Sequence, residues 1–348
     1  MRPNPEPRTP NPCFTMPDPN PRNLRNVREI TRRDILFSVA RVPNSTRLIV
    51  ASNDNHVYEL DASQASPTPL ALADHGRYAT CVRLSGDIVI SGGYDNRLIW
   101  WDKANSRVVR TVDAHTRQIR QLAMSPDGTK LASVADDMVC RLWNVQTGER
   151  LRELRGHEER TPTHFGSMLY CCAFSNDGTK LATGDRVGRV CIWNVATGER
   201  FSTIEVPSLY TWDGVQRIRS IGGIRSLAFS PDGAQIAVGG VGQIGNVDGL
   251  GGPSRVEVHD WSRRQRVHEF QGQQQGLVNR LLWHPNNLFL CGVGGGNNGF
   301  VFFHDMRNRT MIHQMNLPMH THDSVFSEDW TTLYHAGHQR IVVQELRA

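Results

Sequence analysis

From Leu24 onward, apolar positions fall in runs of four to six residues, parted by Gly, Pro, Asn and Asp. No run carries the 3.6-residue period of an amphipathic helix. Short apolar runs bounded by turn residues predict strands. The pattern also repeats. Ser125 opens SPDGTKLAS and Ser175 opens SNDGTKLAT, while Trp143 begins WNVQTGERL and Trp193 begins WNVATGERF, an offset of 50 residues at every matching position. Each unit holds four runs. They are separated by a PDG-type turn, a stretch after Ser or Thr, and a TGER-type turn that follows an aromatic-Asp or Trp-Asn pair. Four antiparallel strands in a unit of about 40–45 residues make one propeller blade. The expected fold class is all-β.

Trp101-Asp102, Trp143-Asn144 and Trp193-Asn194 resemble the signature dipeptide of WD40 repeats. Gly156-His157 resembles the dipeptide that opens such a repeat, with Asp74-His75 and Ala114-His115 as variants. Leu60-Asp61, His259-Asp260, His304-Asp305 and Gln344-Glu345 stand as diverged equivalents. The resemblance covers residues 24–348 and implies a seven-bladed WD40 β-propeller. It implies ring closure by an N-terminal strand, Leu24–Ile30, that completes the last blade. It also implies a structural His–Ser/Thr–Asp–Trp network within a blade. The second unit has His75, Ser91, Asp95 and Trp101; the third has His115, Ser133, Asp137 and Trp143. The fourth keeps Thr183 and Trp193 but has Val187 where Asp is expected, and units five to seven lose most of the set. Such a network contributes when every member is satisfied, so blades two and three are expected to be the most rigid. A His-Ser-Asp set that recurs once per blade is not a catalytic triad. The resemblance implies a non-catalytic interaction scaffold with a protein or peptide partner.

The regular units serve as a ruler for the irregular ones. From the Trp position to the next PDG-type Ser, the spacing is 24 residues from Trp101, 32 from Trp143 and 37 from Trp193. Inside a unit, Ser125 to Asn144 and Ser175 to Asn194 are both 19, but Ser230 to Asp260 is 30. The extra residues fall at about 158–168, 207–222 and 240–253. In a four-stranded antiparallel blade these connections open on one face of the disc. Three long loops are therefore expected to rise together over blades four and five, and long loops on a rigid scaffold carry function. They hold His164, Phe165, Tyr210, Trp212, Arg217 and Arg219. Tyr, Trp and Arg are the types that dominate binding hot spots, so these six are the candidate partner-binding residues.

Composition adds boundaries. Residues 1–22 hold eight of the 18 prolines, so 1–23 is expected to be a disordered Pro-rich tail ahead of a propeller domain at 24–348. Net charge is +5, yet only Lys103, Lys130 and Lys180 are lysines and no dense basic run exists, so no nucleic-acid partner is expected. The seven cysteines form no CxxC pair and sit mostly in apolar runs. Buried reduced thiols fit this pattern, and with them a reducing, cytoplasmic compartment. No apolar run approaches the 18 residues of a membrane span.

Several motifs lead nowhere. Gly240–Gly245 spells GxGxxG but runs into NVDGLGGPS, which cannot start the helix a dinucleotide site needs. His157-Glu158 begins like a zincin helix but lacks the second His. No cofactor and no metal are expected. In the last unit, His320 and His338 take positions that touch in the family, with one neutral ring expected to hydrogen-bond the other. Three alternatives to the scaffold follow. His304-Asp305-Met306-Arg307 resembles the WDxR motif, with His for Trp, and would make the chain a substrate receptor docked on a cullin-ligase adaptor. Inward-pointing ionisable groups in the central channel would favour an enzyme. The Gly-rich loops would favour a small-ligand binder.

Overall fold

The PDG-type turns fold as their residues dictate. Asp127 accepts from the Ser125 hydroxyl at 2.6 Å and from the Thr129 backbone N–H at 3.0 Å, while Gly128 takes a φ of 68°. That left-handed conformation favours glycine because it has no Cβ. Ser175-Asp177-Gly178 and Ser230-Asp232-Gly233 repeat the geometry. In the TGER-type turns, Asn144 and Asn194 each accept two backbone N–H groups. Strands are thus cut to length at fixed intervals.

The computed structural model describes residues 18–245 and 247–347. Residues 1–17, most of the expected tail, lie outside the described residues. The rest of that tail departs from the expectation. Pro21–Asn23 forms a 3-10 turn capped by Asn20, Pro21 is buried, and the Asn20 backbone donates to Arg347 at 3.3 Å.

Five four-stranded antiparallel sheets follow one another along the chain. They are Ala79–Ser85, Ile88–Gly93, Arg97–Asp102 and Arg107–Asp113; Ile119–Met124, Lys130–Ala135, Val139–Asn144 and Arg150–Arg155; and Leu169–Phe174, Lys180–Asp185, Arg189–Asn194 and Arg200–Glu205. Then come Ser226–Phe229, Gln235–Val241, Pro253–Asp260 and Gln265–Gln275, and finally Leu277–Trp283, Leu290–Gly295, Gly299–Asp305 and Thr310–Leu317. The sixth sheet has six strands, in the order Thr321–Phe326, Thr332–Leu346, Leu24–Arg41, Arg47–Ser52, His56–Asp61 and Leu70–Asp74. A two-stranded hairpin, Tyr210–Asp213 with Arg219–Gly222, stands apart.

The described strands therefore form six large sheets, not the seven separate ones expected. The physical reason is the reach of two long strands. Leu24–Thr31 pairs with Arg340–Leu346, and the same strand continues as Leu36–Arg41 to pair with Leu48–Ser52. The two ends of the repeat region are thereby joined in one hydrogen-bonded sheet. Within that sheet, Gln339 has a φ of 57° and the Leu346 N–H bonds back to Thr331 at 2.7 Å.

The first strands of successive sheets are neighbours in a closed circuit, from Leu24–Arg41 through each sheet to Thr321–Phe326 and back. Burial falls outward: Lys130–Ala135 is buried except at its first residue, whereas Arg150–Arg155 is mostly exposed. Apolar clusters fill the gaps. Ile90, Leu98 and Trp100 meet Ile119, Leu122 and Leu131. Val190 and Ile192 meet Leu227, Ile236 and Val238. Ile30, Leu36 and Val50 meet Tyr334, Ile341 and Val343 between the two halves of the six-stranded sheet. No helix among the described residues is long and apolar enough to cross a membrane.

Candidate interaction face

Three connections break the regular spacing, at residues 156–168, 206–225 and 242–252. Each is built by its own chemistry. In the first, Arg160 bridges to Gly166, the Thr161 N–H donates to Phe165 carbonyl at 2.8 Å, and His164 takes a φ of 67°. The second is the Tyr210–Gly222 hairpin. Asp213 accepts from the Val215 and Gln216 N–H groups at 3.0 and 2.9 Å and sets the turn. Gly223 closes it at a φ of 90°, where a Cβ would meet the Arg186 carbonyl oxygen at 2.7 Å. The third follows Gln235–Val241 and contains Gly242 and Gly245 of the GxGxxG motif in an irregular loop, while Gly240 is paired with Arg255 in the strand; no helix follows among the described residues.

The three connections touch. Phe165 packs on Trp212 with ring centroids 5.3 Å apart. Gln243 donates to the Tyr210 carbonyl at 3.0 Å, and the Ile244 N–H donates to Thr211 at 3.1 Å. Arg219 donates to the Val247 carbonyl at 2.7 Å, and Arg217 pairs with Asp248 at 2.5 Å. Ile221, Val241, Ile244, Leu250 and Leu277 form a small apolar cluster beneath them. A satellite core of this kind holds loops in one arrangement.

The six candidate residues divide. His164, Phe165, Arg217 and Arg219 are exposed, and Trp212 is half-buried against Phe165. Tyr210 differs: its hydroxyl is buried and makes no hydrogen bond among the described residues. Sequence reading missed Val215 and Ile218, which are 91% and 59% exposed at the hairpin tip. Ile218 also holds a φ of 50°, a strained conformation for a β-branched residue. The signal was present, because Asp213-Gly214 between two strand-like runs marks a hairpin.

The recurring His sets are buried within their sheets. His75 Nε2 lies 2.8 Å from Ser91 Oγ, and its Nδ1 lies 3.0 Å from Asp95. His115 makes the same contacts with Ser133 and Asp137 at 2.7 and 3.0 Å, and Trp143 donates to Ser133 at 2.8 Å. Burial opposes the Asp137 charge, but the bonds to His115 and Arg141 hold its carboxyl far below the usual range. Trp101 departs from the expectation. It packs beside Ile49, Val89 and Ile99, and no bond from it reaches Ser91 among the described residues; the neighbouring Trp100 is fully buried and donates to the Val145 carbonyl.

The fourth unit overturns the expectation that its network lacks a carboxylate. Asp185, at the end of its strand, meets His157 Nδ1 at 2.8 Å, Thr183 meets Nε2 at 2.7 Å, and Trp193 donates to Thr183 at 2.9 Å. Burial pulls the His157 pKa down, but the bond and charge of Asp185 together with the neighbouring Cys191 outweigh it and raise the value to about 9. The last unit carries a different buried chain, from Ser324 through His335 to Gln344 and Asn26.

The other motifs resolve into packing. His320 and His338 stack at 5.1 Å and do not hydrogen-bond each other as expected. His320 Nδ1 lies 2.9 Å from the Gly296 carbonyl and Nε2 lies 3.0 Å from Asn279, so both its nitrogens are already engaged. His322 stacks beside both rings. No group of three or more His, Cys, Asp or Glu among the described residues is arranged to hold a metal. Of the WDxR-like stretch, His304 is buried against Phe270, Asp305 caps a turn, and only Arg307 is exposed. Six cysteines are free and buried, while Cys13 lies outside the described residues.

A closed circuit of antiparallel sheets around an axial channel defines a β-propeller. Two stretches of the chain, residues 106–144 and 148–194, match the "WD domain, G-beta repeat" profile of the WD40-repeat family. It is 35% identical over 91 residues to nuclear distribution protein PAC1 of Arthroderma otae, covering 26% of this chain and 18% of that protein. It is 30% identical to actin-interacting protein 1 of Drosophila melanogaster, over 31% of this chain and 18% of the relative. It is also 30% identical to a guanine nucleotide-binding protein subunit beta of Arabidopsis thaliana, over 33% of each. The aligned stretch thus spans a third or less of these relatives.

Proposed function

We propose that this chain is a non-catalytic scaffold that captures a protein or peptide partner on the three joined connections over the fourth and fifth units. One observation carries the reading: the chain's three departures from its own spacing are in mutual contact and present Phe165, Trp212, Val215, Ile218, Arg217 and Arg219 on one surface. Apolar and arginine side chains on a pre-ordered surface bind with little loss of conformational entropy. Interaction is also the activity stated in the name of the similar actin-interacting protein. We count the six-stranded sheet as two blades that share the long N-terminal strand, giving a ring of seven. The apolar layer between its halves supports that count. Buried free thiols suit a reducing, cytoplasmic setting.

The test replaces the exposed hairpin tip, residues 213–219, with a two-residue turn, leaving the buried Leu209 and the packed Ile221 in place. The shortened protein is expected to keep its thermal midpoint and to lose the partners that the full chain captures, measured by quantitative mass spectrometry of affinity eluates. Recovery of the same partners by both proteins would refute the reading.

A further inference from the structure

The first strands of the sheets enclose a cavity of about 220 Å³ at the mouth of the central channel. Its charge is unbalanced. Arg83, Arg120 and Arg225 line it, and Arg280 reaches the same wall through Asp323. Arg120 is matched by Asp136, at 2.7 and 2.5 Å in a bidentate pair. Arg83 and Arg280 share one carboxylate, Asp323, each at 3.4 Å. That carboxylate is already spent on the Ser38 hydroxyl at 2.8 Å and on the Val39 and Ser324 N–H groups at 3.2 and 2.9 Å. Arg225 has no acidic partner among the described residues; its Nη2 donates to the Gly222 carbonyl at 3.2 Å. Two positive charges therefore remain without a counter-charge.

Donors are orphaned as well. Arg225 Nε and His322 Nε2 are buried and make no hydrogen bond among the described residues, and Arg280 Nε has only the 3.4 Å ion pair with Asp323. An unpaired buried cation is costly, and an oxyanion is the partner that planar guanidinium groups match best. Burial lowers the Arg280 pKa, as expected of a cation short of compensation.

The aromatic rim does not argue for a cationic guest. Arg225 lies over the Tyr170 ring at 3.8 Å and Arg120 over Tyr94 at 5.0 Å, so both faces already hold a protein cation. The cavity is smaller than the roughly 300–1,000 Å³ that encloses a drug-sized ligand, and suits one charged group. We propose that the channel mouth binds a single oxyanion group, phosphate or carboxylate, held by Arg225 together with Arg83 and favoured by the charge of Arg280 behind Asp323. The one channel carboxylate is salt-bridged, and burial pushes the Cys81 thiol up to about 12, so the site is one of binding and not catalysis.

The test is calorimetric titration of the full chain with inorganic phosphate and, separately, with acetate at constant ionic strength. The proposal expects saturable binding of phosphate, acetate or both, and the responding anion defines the chemistry. Arg225→Gln should weaken that binding at least about tenfold, the loss of one charge-assisted contact. Arg83→Gln should weaken it too, which covers the case in which one variant fails to fold. Arg97→Gln, at an exposed ion pair with Asp113, should leave binding unchanged. Absence of saturable binding for both anions, or equal losses in the Arg225 and Arg97 variants, would overturn the proposal. Arg225 ends the second long connection, whereas Arg83 lies on the strand Ala79–Ser85, so the Arg83 variant leaves the three connections unaltered and separates anion binding from partner capture.

Discussion

Asp185 shows how a single residue can restore a network that position counting declares broken. In the third unit the carboxylate stands four residues after Ser133, in the turn; in the fourth it stands two residues after Thr183, at the end of the strand. Counting along the chain assumes that equivalent atoms come from equivalent positions. The side chain of Asp185 reaches the same imidazole nitrogen from elsewhere, and a sequence does not print that reach. Trp101 is the opposite case, with the expected residue in the expected place and the bond unmade. Because the buried His157–Asp185 pair holds a proton, Asp185→Asn should cost roughly 3 kcal/mol of stability near neutral pH. The raised His157 pKa fixes the sign: its contribution is full below about 6.5, the ordinary histidine value, and is lost as pH rises through the folded value. Urea denaturation of both proteins should show the gap closing across that range. A gap that does not change with pH would mean His157 does not titrate there.

At the scale of elements, the strands were legible because their turns are chemically explicit. The PDG and TGER turns fix strand length, so surplus residues had to be in the connections between them. That logic found all three long connections to within a few residues. The Tyr210–Gly222 hairpin carried a local signal in Asp213-Gly214, but the Gln243 side chain that ties two connections together did not, because contacts between loops depend on where neighbouring sheets place them. The last unit makes a separate prediction. His335 lies between Ser324 and Gln344, both at 2.8 Å, and burial pushes its pKa down to about 4. The unfolded chain takes up that proton below about 6.5 while the folded chain does not, so stability should fall on acidification through this window by up to about 1.4 kcal/mol per pH unit from this one site. In His335→Gln the denaturation midpoint should depend less steeply on pH between those values. An unchanged slope would assign the acid sensitivity to other groups.

For the whole molecule, closure of the circuit depends on residues far apart in sequence. The pairing of Leu24–Thr31 with Arg340–Leu346 joins the ends of the described chain, and Leu24 and Ile30 are buried in the clusters on either side. Removal of residues 1–31 should therefore lower the thermal midpoint by about 10 °C or more, since several kcal/mol of burial and a row of strand hydrogen bonds are lost together. An unchanged midpoint would show that closure contributes little. Ring closure was legible from an isolated strand before the first full unit and a last unit one strand short. The merging of these ends into one six-stranded sheet was not, because it depends on strands continuing through bends that carry no turn signature. The central claim, that the ring presents its three joined connections to a partner, is tested most directly by hydrogen–deuterium exchange on the full chain with and without a captured partner. The account predicts slowed exchange in residues 156–168, 206–225 and 242–252. Slowed exchange confined to the PDG and TGER turns, with these three connections unchanged, would contradict it.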